Sequence, residues 1–182
     1  MRLDHIAFRV ADRGKTAAFL CTCFGYRIAG DLPDGFEIEF EDGTKAQCLV
    51  LLPPEKLGDD TPWSHLTPTG EGEVAYHMAP EIFVSEGSPG SIVEKWVQDR
   101  DGVGGIHHLA YQVDSVAAKM KEWKDKGYAE FTTPEPLTCP GLVQVFSKPS
   151  QLTGVIYEFI EREKHGFCQD NVKDLMNSTK GL

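Results

Sequence analysis

Two histidines occupy equivalent places in two similar stretches of this chain. His5 lies in the stretch DHIAFRV (residues 4–10), and His108 lies in the stretch HHLAYQV (residues 107–113). Each stretch is followed by a helix-like segment and then by a Gly-Tyr pair, at nearly the same spacing in both copies. A repeated strand-helix unit with one histidine per copy predicts that pseudo-twofold symmetry brings two imidazole ligands together.

Glu158 supplies a carboxylate that fits the same kind of site. It is the one charged residue in the apolar run VIYEFI, and an unpaired buried carboxylate is costly unless a partner such as a metal ion offsets the charge. Two histidines and one carboxylate form a common ligand set for metals in oxygen chemistry. Because Glu81 can be superposed on Glu158 in the first copy, we predict it as a fourth ligand or a catalytic base. His107 should alternate to the face opposite His108 and have a structural role.

The segments around these residues are short strands and helices. Alternating apolar residues and β-branched side chains predict strands, helical spacing predicts helices, and Asp42-Gly43 is a hairpin signal. In the first copy the predicted elements are a strand at 3–10, a helix at 12–24 and strands at 36–41, 46–52 and 81–84, with a helical connector at 91–98. In the second copy they are a strand at 107–113, a helix capped by Asp114 or Ser115 and ending near 126, strands at 142–146 and 155–161, and a short helix at 171–176.

This order predicts an α+β fold in which two βαβββ modules form one curved mixed sheet with outer helices. The first module covers residues 1–100 and contains a long loop excursion at 55–75, rich in Pro, Gly, Asp and Thr. The second covers residues 101–182 and includes the C-terminal tail. The first strand of each module should lie at the centre of the sheet, with its histidine on the concave face.

Composition restricts the partners of the protein. The 182 residues carry a net charge of −10 and form no Lys/Arg cluster, which argues against nucleic acid or an anionic membrane as a partner. The polar N-terminus and the absence of a long apolar run predict a cytoplasmic protein. The five cysteines fit neither a disulfide framework nor a zinc motif, so we expect free thiols.

With these motifs the chain resembles the vicinal oxygen chelate superfamily, which includes glyoxalase I, extradiol dioxygenases and bleomycin-resistance proteins. The second half is most similar to the C-terminal catalytic domain of 4-hydroxyphenylpyruvate dioxygenase, in the segments GGIHHLA, LVQVFSKP and YEFIER, and in the GFCQDN of the tail. The segment from Ser91 to Ala110 resembles methylmalonyl-CoA epimerase equally well.

The resemblance implies that His5, His108 and Glu158 bind a divalent metal, with Fe(II) favoured and Co, Ni, Mn or Zn as alternatives. It implies that Gln144 and Phe146 line the substrate pocket. Ser85 stands where the dioxygenase has an Asn, and is expected in the same pocket.

The implied substrate is a small molecule that chelates the metal through two oxygens, and the implied assembly is a homodimer. Three protein ligands would suit a dioxygenase acting on a 2-oxo acid. A fourth, from Glu81, would suit an epimerase or a glyoxalase-type isomerase or lyase working through an enediolate. A metal-free small-molecule binding protein of the resistance type is a third alternative.

Overall fold

The computed structural model describes residues 1–54, 79–163 and 166–182. The predicted loop excursion at 55–75 lies outside the described residues. Within them, no helix is long and apolar enough to cross a lipid bilayer.

The elements follow the predicted order in both halves of the chain. The first half contains β1 (Arg2–Val10), α1 (Arg13–Phe24), β2 (Arg27–Ile28), β3 (Phe36–Glu39), β4 (Lys45–Leu52), β5 (Glu81–Gly87) and α2 (Ile92–Gln98). The second half contains β6 (Gly104–Gln112), α3 (Val116–Asp125), β7 (Leu137–Cys139), β8 (Leu142–Phe146), β9 (Ile156–Arg162) and α4 (Gln169–Ser178). The two-residue β2 and the three-residue β7 are additions to the predicted set.

Local signals explain where the elements begin and end. Asp12 caps α1 by accepting a hydrogen bond from the backbone N–H of Lys15, and Gly25 ends this helix in the left-handed conformation. Ser115, one of the two predicted caps, accepts from the backbone N–H of Ala118 at the start of α3. The hairpin between β3 and β4 turns at Gly43, which has a φ of 78°.

In the described part of the chain, nine strands form a single sheet in the order β2-β4-β5-β1-β6-β9-β8-β7, with β3 also paired to β4. The antiparallel pair β1 and β6 is central. Parallel strands flank it on both sides, β5 beside β1 and β9 beside β6. The fold is therefore α+β with one curved mixed sheet, and its pseudo-twofold axis passes between the two strands that carry the histidines.

The helices α1 and α3 cover one face of the sheet. Ala17 and Leu20 of α1 pack on residues of β4 and β5, and Val116 and Met120 of α3 pack on residues of β8 and β9. The C-terminal helix α4 lies over the opposite, concave face, where Val172 and Met176 join a cluster with Ala7, Phe83 and other apolar residues. Apolar burial on both faces fixes the register of the strands between them.

A disulfide joins Cys139, at the end of β7, to Cys168, the residue that precedes α4. The expectation of free thiols is therefore wrong for these two cysteines, while Cys21, Cys23 and Cys48 are free. Their sequence separation of 29 residues fits no recognisable framework, and only the packing of α4 beside β7 brings the two together.

We expect Cys139→Ser to lower the free energy of unfolding by about 2–4 kcal/mol, because the disulfide restricts the unfolded chain. Urea titration measures the change. Cys23→Ser, at an exposed free thiol, is the matched control and should stay within about 0.5 kcal/mol of the parent. Alkylation of the unfolded, unreduced chain should label three cysteines; labelling of all five would contradict the disulfide.

Candidate metal centre

Three buried side chains meet at the pseudo-twofold axis on the concave face of the sheet. The Nε2 atoms of His5 and His108 lie 3.3 Å apart, and Oε2 of Glu158 lies 3.4 Å from the first and 3.1 Å from the second. The exposed fractions of the three residues are only 2%, 7% and 1%. Among the described residues this is the group whose ligand atoms could hold a metal ion.

The donor set fits a divalent metal. Ligand atoms about 2.0–2.2 Å from one cation are separated from each other by about 3 Å, and the three atoms form a triangle of that size. Imidazole nitrogen and carboxylate oxygen suit iron, zinc, cobalt, nickel and manganese. The three atoms can each offer a lone pair, and they lie buried at similar distances from one another. A cation bound between them would stabilise this arrangement.

The second oxygen of Glu158 is held by a chain of amide hydrogen bonds. Gln144 donates from Nε2 to Oε1 of Glu158 at 2.6 Å, and its own Oε1 accepts from Nδ2 of Asn171 at 3.1 Å. Asn171 lies on α4, so the helix over the concave face is hydrogen-bonded to the ligand set. The chain fixes the carboxylate with its other oxygen toward the two histidines.

Each ligand histidine is preceded by a residue that lies in a β-bulge. The pairing of β1 with β6 shifts by one residue at Asp4 and again at His107, so each bulge turns the preceding side chain toward the ligand histidine. Asp4 Oδ1 lies 2.8 Å from Nδ1 of His5, and Nδ1 of His107 lies 2.8 Å from Nδ1 of His108. Both contacts leave the Nε2 atoms of the ligand histidines directed at Glu158.

His107 therefore corrects the sequence prediction that it faces away from His108. Strict alternation along β6 is interrupted by the bulge, and His107 lines the same cavity as its neighbour. The exposed fraction of its side chain is 5%. Burial, together with the positive charge of Arg9, holds the pKa of His107 well below its usual value, so this imidazole is neutral.

The charges of the site favour binding of a cation. Burial would raise the pKa of Glu158, but hydrogen bonds from His108 and His5 hold it well below its usual range. Burial alone would lower the pKa of His5, yet the hydrogen bonds to Asp4 and Glu158 raise it to about 9. Burial lowers the pKa of His108. A cation bound here would take the place of the proton on His5.

Glu81 lies outside the cluster, and the strand register gives the reason. Three residues form a row across the sheet, because His5 pairs with Ala110 and Ala110 pairs with Glu158. The pseudo-twofold axis relates this row to His108, Ala7 and Phe83, so Phe83 and not Glu81 is the counterpart of Glu158. The superposition of Glu81 on Glu158 that the sequence predicted is therefore wrong by two residues. Glu81 pairs beside His5 at the start of β5 and is only half-buried.

The three predicted substrate-binding residues all line one cavity with the candidate ligands. This cavity lies between the sheet and α4. The ring of Phe146 lies 4.5 Å from that of His108, centroid to centroid. Ser85 lies near the other end, where its hydroxyl donates to the carbonyl of Phe8. Gln144, Phe146 and Ser85 are each nearly fully buried.

Sequence reasoning missed four residues around the site: Asp4, Arg9, Arg162 and Asn171. Arg162 binds both carboxylate oxygens of Asp4 at 3.0 Å, which fixes the carboxylate that orients His5. A usable signal was present for Asp4, since a carboxylate next to a ligand histidine commonly accepts its second N–H. Arg9 gave no such signal, because arginines are usually exposed.

We expect Asp4→Asn to weaken metal binding by about 10–100-fold, since loss of a charged partner of a ligand histidine has effects of this size. Titration of the metal-free protein with Co²⁺ against a competing chelator measures the change. Asp114→Asn removes an exposed carboxylate and should leave the affinity unchanged. Equal affinities for the two variants would show that Asp4 does not support the ligand.

The sequence of the chain matches the profile of the Glyoxalase/Bleomycin resistance protein/Dioxygenase superfamily over residues 4–138. The chain belongs to this superfamily. It is 22% identical over 160 residues to mitochondrial methylmalonyl-CoA epimerase from Homo sapiens, an alignment that covers 86% of this chain and 72% of the epimerase.

Solved structures show the same fold in an epimerase and in a synthase. A crystal structure of methylmalonyl-CoA epimerase superposes with a TM-score of 0.60 at 22% identity, covering 89% of this chain and 95% of that one. A mutant of 4-hydroxymandelate synthase from Streptomyces coelicolor superposes with a TM-score of 0.68 at 19% identity, covering 98% of this chain and 53% of that one. Members of the superfamily bind divalent metals, and the His-His-Glu cluster lies where such a metal fits.

Proposed function

We propose that this protein is a non-haem Fe(II) dioxygenase-like enzyme that acts on a chelating 2-oxo acid. The observation that carries the proposal is the position of Phe83. It occupies the register position equivalent to Glu158 and lines the cavity with its ring 6.5 Å from that of His5. A phenyl group cannot ligate a metal, so among the described residues the site offers two histidines and one carboxylate rather than four ligands.

Two histidines and one carboxylate on one side of a metal are the ligand set of non-haem iron oxygenases, and they leave positions for a bidentate substrate and dioxygen. Iron bound there would supply Lewis acidity and the electrons with which dioxygen reacts. His5, His108 and Glu158 would hold it.

The residues around the ligands would bind the substrate and exclude water. Gln144 fixes the carboxylate of Glu158 and presents an amide to the cavity. Phe146 and Phe83 form apolar walls on opposite sides of the histidines. Val172, Leu175 and Met176 of α4 cover the concave face, so a substrate in the cavity would be shielded from bulk water.

A second candidate is a metal-dependent epimerase or glyoxalase-type isomerase, favoured by the 22% identity to the human epimerase over 86% of this chain. The reaction would need a group that removes a proton from carbon. Glu81 is the sequence candidate for that role, and it is absent from the residues that line the cavity in the described part of the chain, so the isomerase is the weaker of the two candidates.

Metal analysis and two assays test the proposal. The full chain is purified without chelator, its metal content is measured, and it is reconstituted with Fe²⁺ without oxygen. The proposal expects oxygen uptake on addition of 2-oxo acids. Deuterium exchange next to a carbonyl without oxygen uptake would support the isomerase instead, and no metal retention would support a metal-free binding protein. Sedimentation velocity on the same sample tests the homodimer implied by the resemblance.

A further inference from the structure

Arg9 is a buried cation at the end of the cavity away from Glu158. Alternation along β1 places His5, Ala7 and Arg9 on the concave face, and Arg9 lines the same cavity as the candidate ligands. Its exposed fraction is 2%. Four residues of strand separate its Cα from that of His5, a span of about 13 Å.

The guanidinium of Arg9 has one neutral partner and no acidic one in the described parts of the chain. Its Nη2 donates to Oγ1 of Thr179 at 3.0 Å, while Nη1 is buried without a hydrogen-bond partner. Trp96 lies beneath it, with the centre of the ring 5.9 Å from Cζ. Burial and the positive charge of Arg100 lower the pKa of Arg9 to about 9, so the group keeps its charge at neutral pH.

A charge in this position is costly unless an anion accompanies it. Arginine donors also match the two oxygens of a carboxylate in geometry. The free Nη1 therefore marks a place for an anion that the protein does not provide from its own described residues.

His107 has a buried side-chain nitrogen without a partner, and the residue lines the same cavity as Arg9. If Nε2 of His108 faces a metal, its Nδ1 must carry the proton and donate to Nδ1 of His107, 2.8 Å away. The proton of His107 then lies on Nε2, an atom that is buried without a partner. The two buried side-chain polar atoms without partners in the described residues are thus Nη1 of Arg9 and Nε2 of His107, and both residues line this cavity.

We propose that Arg9, assisted by His107, binds a second carboxylate of the substrate, so that the substrate is a 2-oxo acid with another carboxylate at its far end. The 2-oxo acid group would face His5, His108 and Glu158, and the second carboxylate would pair with Arg9. This inference rests on the proposed function for the first group and for the proton on Nε2 of His107, which a metal on His108 would fix. The Arg9 subsite itself needs no metal.

Calorimetry with matched ligands tests the subsite. Co²⁺-loaded full chain is titrated with 2-oxoglutarate and 2-oxoadipate, each compared with the monocarboxylate of equal carbon number, 2-oxopentanoate or 2-oxohexanoate. We expect at least one dicarboxylate to bind about 10-fold or more tightly than its analogue, as one charge-assisted hydrogen bond allows. Arg9→Gln should remove the preference, Arg9→Lys should retain part of it, and Arg2→Gln, at the exposed start of β1, should leave it intact.

The stability of the ligand-free variants separates a binding role from a structural one. A buried guanidinium that pairs with a ligand destabilises the protein when the ligand is absent. Arg9→Met should therefore raise the Tm of the ligand-free chain by about 2–8 °C. If Arg9 merely anchors Thr179, Tm should fall, and that result would overturn the inference. So would equal affinity of the wild-type chain for both members of each ligand pair.

A second titration makes the test independent of the metal. The metal-free chain is titrated with glutarate and adipate, and their affinities are compared with those of pentanoate and hexanoate. A preference for the dicarboxylates that Arg9→Gln removes would support the subsite even if the chain retains no metal and the proposed function fails. Absence of that preference, with normal metal binding, would reject the subsite alone.

Discussion

Glu158→Ala is expected to abolish stoichiometric metal binding, with a loss of affinity of more than about 1000-fold, whereas Glu81→Ala should bind metal like the wild-type chain. The expected loss exceeds the 10–100-fold typical of residues that only orient a ligand, because a ligand itself is removed. The two carboxylates are a matched pair, since both lie on strands that flank a histidine strand in parallel. Metal content after dialysis, followed by chelator-competition titration with Co²⁺, measures the difference.

The expected loss of metal affinity in Glu158→Ala follows from the buried charges of the cluster. Oε2 of Glu158 is within 3.4 Å of both histidine nitrogens, so its loss leaves two neutral donors with no anion to offset a divalent charge. His108→Ala should lose the metal for the same geometric reason. Circular dichroism of each variant checks that the fold is kept. Full metal content in Glu158→Ala would reject the site, and loss of metal in Glu81→Ala alone would restore the alignment made from the sequence.

The repeated histidines and the lone carboxylate were readable because each depends on a local pattern. His5 and His108 occupy equal places in two similar strands, and Glu158 interrupts an apolar run. The fold followed from the same patterns, since alternation and helix caps define the elements, and the duplication predicts their symmetric assembly. The structure brings these three side chains together, as the pattern predicted.

Residues whose roles depend on register could not be predicted in the same way. One-residue bulges at Asp4 and His107 leave no mark in a pattern of period two. The mistaken superposition of Glu81 on Glu158 arose because sequence similarity between the two strands is too weak to fix an offset of two residues. Pairing across the sheet fixes it, and places Phe83 at the equivalent position.

The disulfide and the role of Arg9 could not be predicted from the sequence because both depend on long-range packing. The disulfide between Cys139 and Cys168 depends on where α4 lies. In the sequence, Arg9 is a polar residue in an ordinary strand pattern, and only the packing of the sheet and α4 buries it. Its burial without a counterion is a local conflict of the kind that marks functional sites rather than errors of folding.

Phe83→Glu should separate the two kinds of chemistry that the superfamily fold supports. A carboxylate at this register position would mirror Glu158 across the pseudo-twofold axis and add a fourth ligand. We expect Co²⁺ affinity to be kept or increased, while oxygen uptake with 2-oxo acids falls by more than about 100-fold, because a fourth protein ligand fills a position that substrate and dioxygen need. Phe83→Leu keeps an apolar side chain and should retain oxygen uptake within about tenfold, at the cost of a small cavity.

The pair of variants gives an outcome that the isomerase reading does not share. If the wild-type protein is an isomerase whose chemistry is compatible with four protein ligands, Phe83→Glu should leave oxygen consumption at zero and keep or raise deuterium exchange. If it is a dioxygenase, the wild-type rate is high and the variant loses it although the metal stays bound. Unchanged oxygen uptake in Phe83→Glu, with metal content confirmed, would mean that the number of protein ligands does not set the reaction. The choice of Phe83 would then be a matter of packing against His5 and Phe167 and not of chemistry.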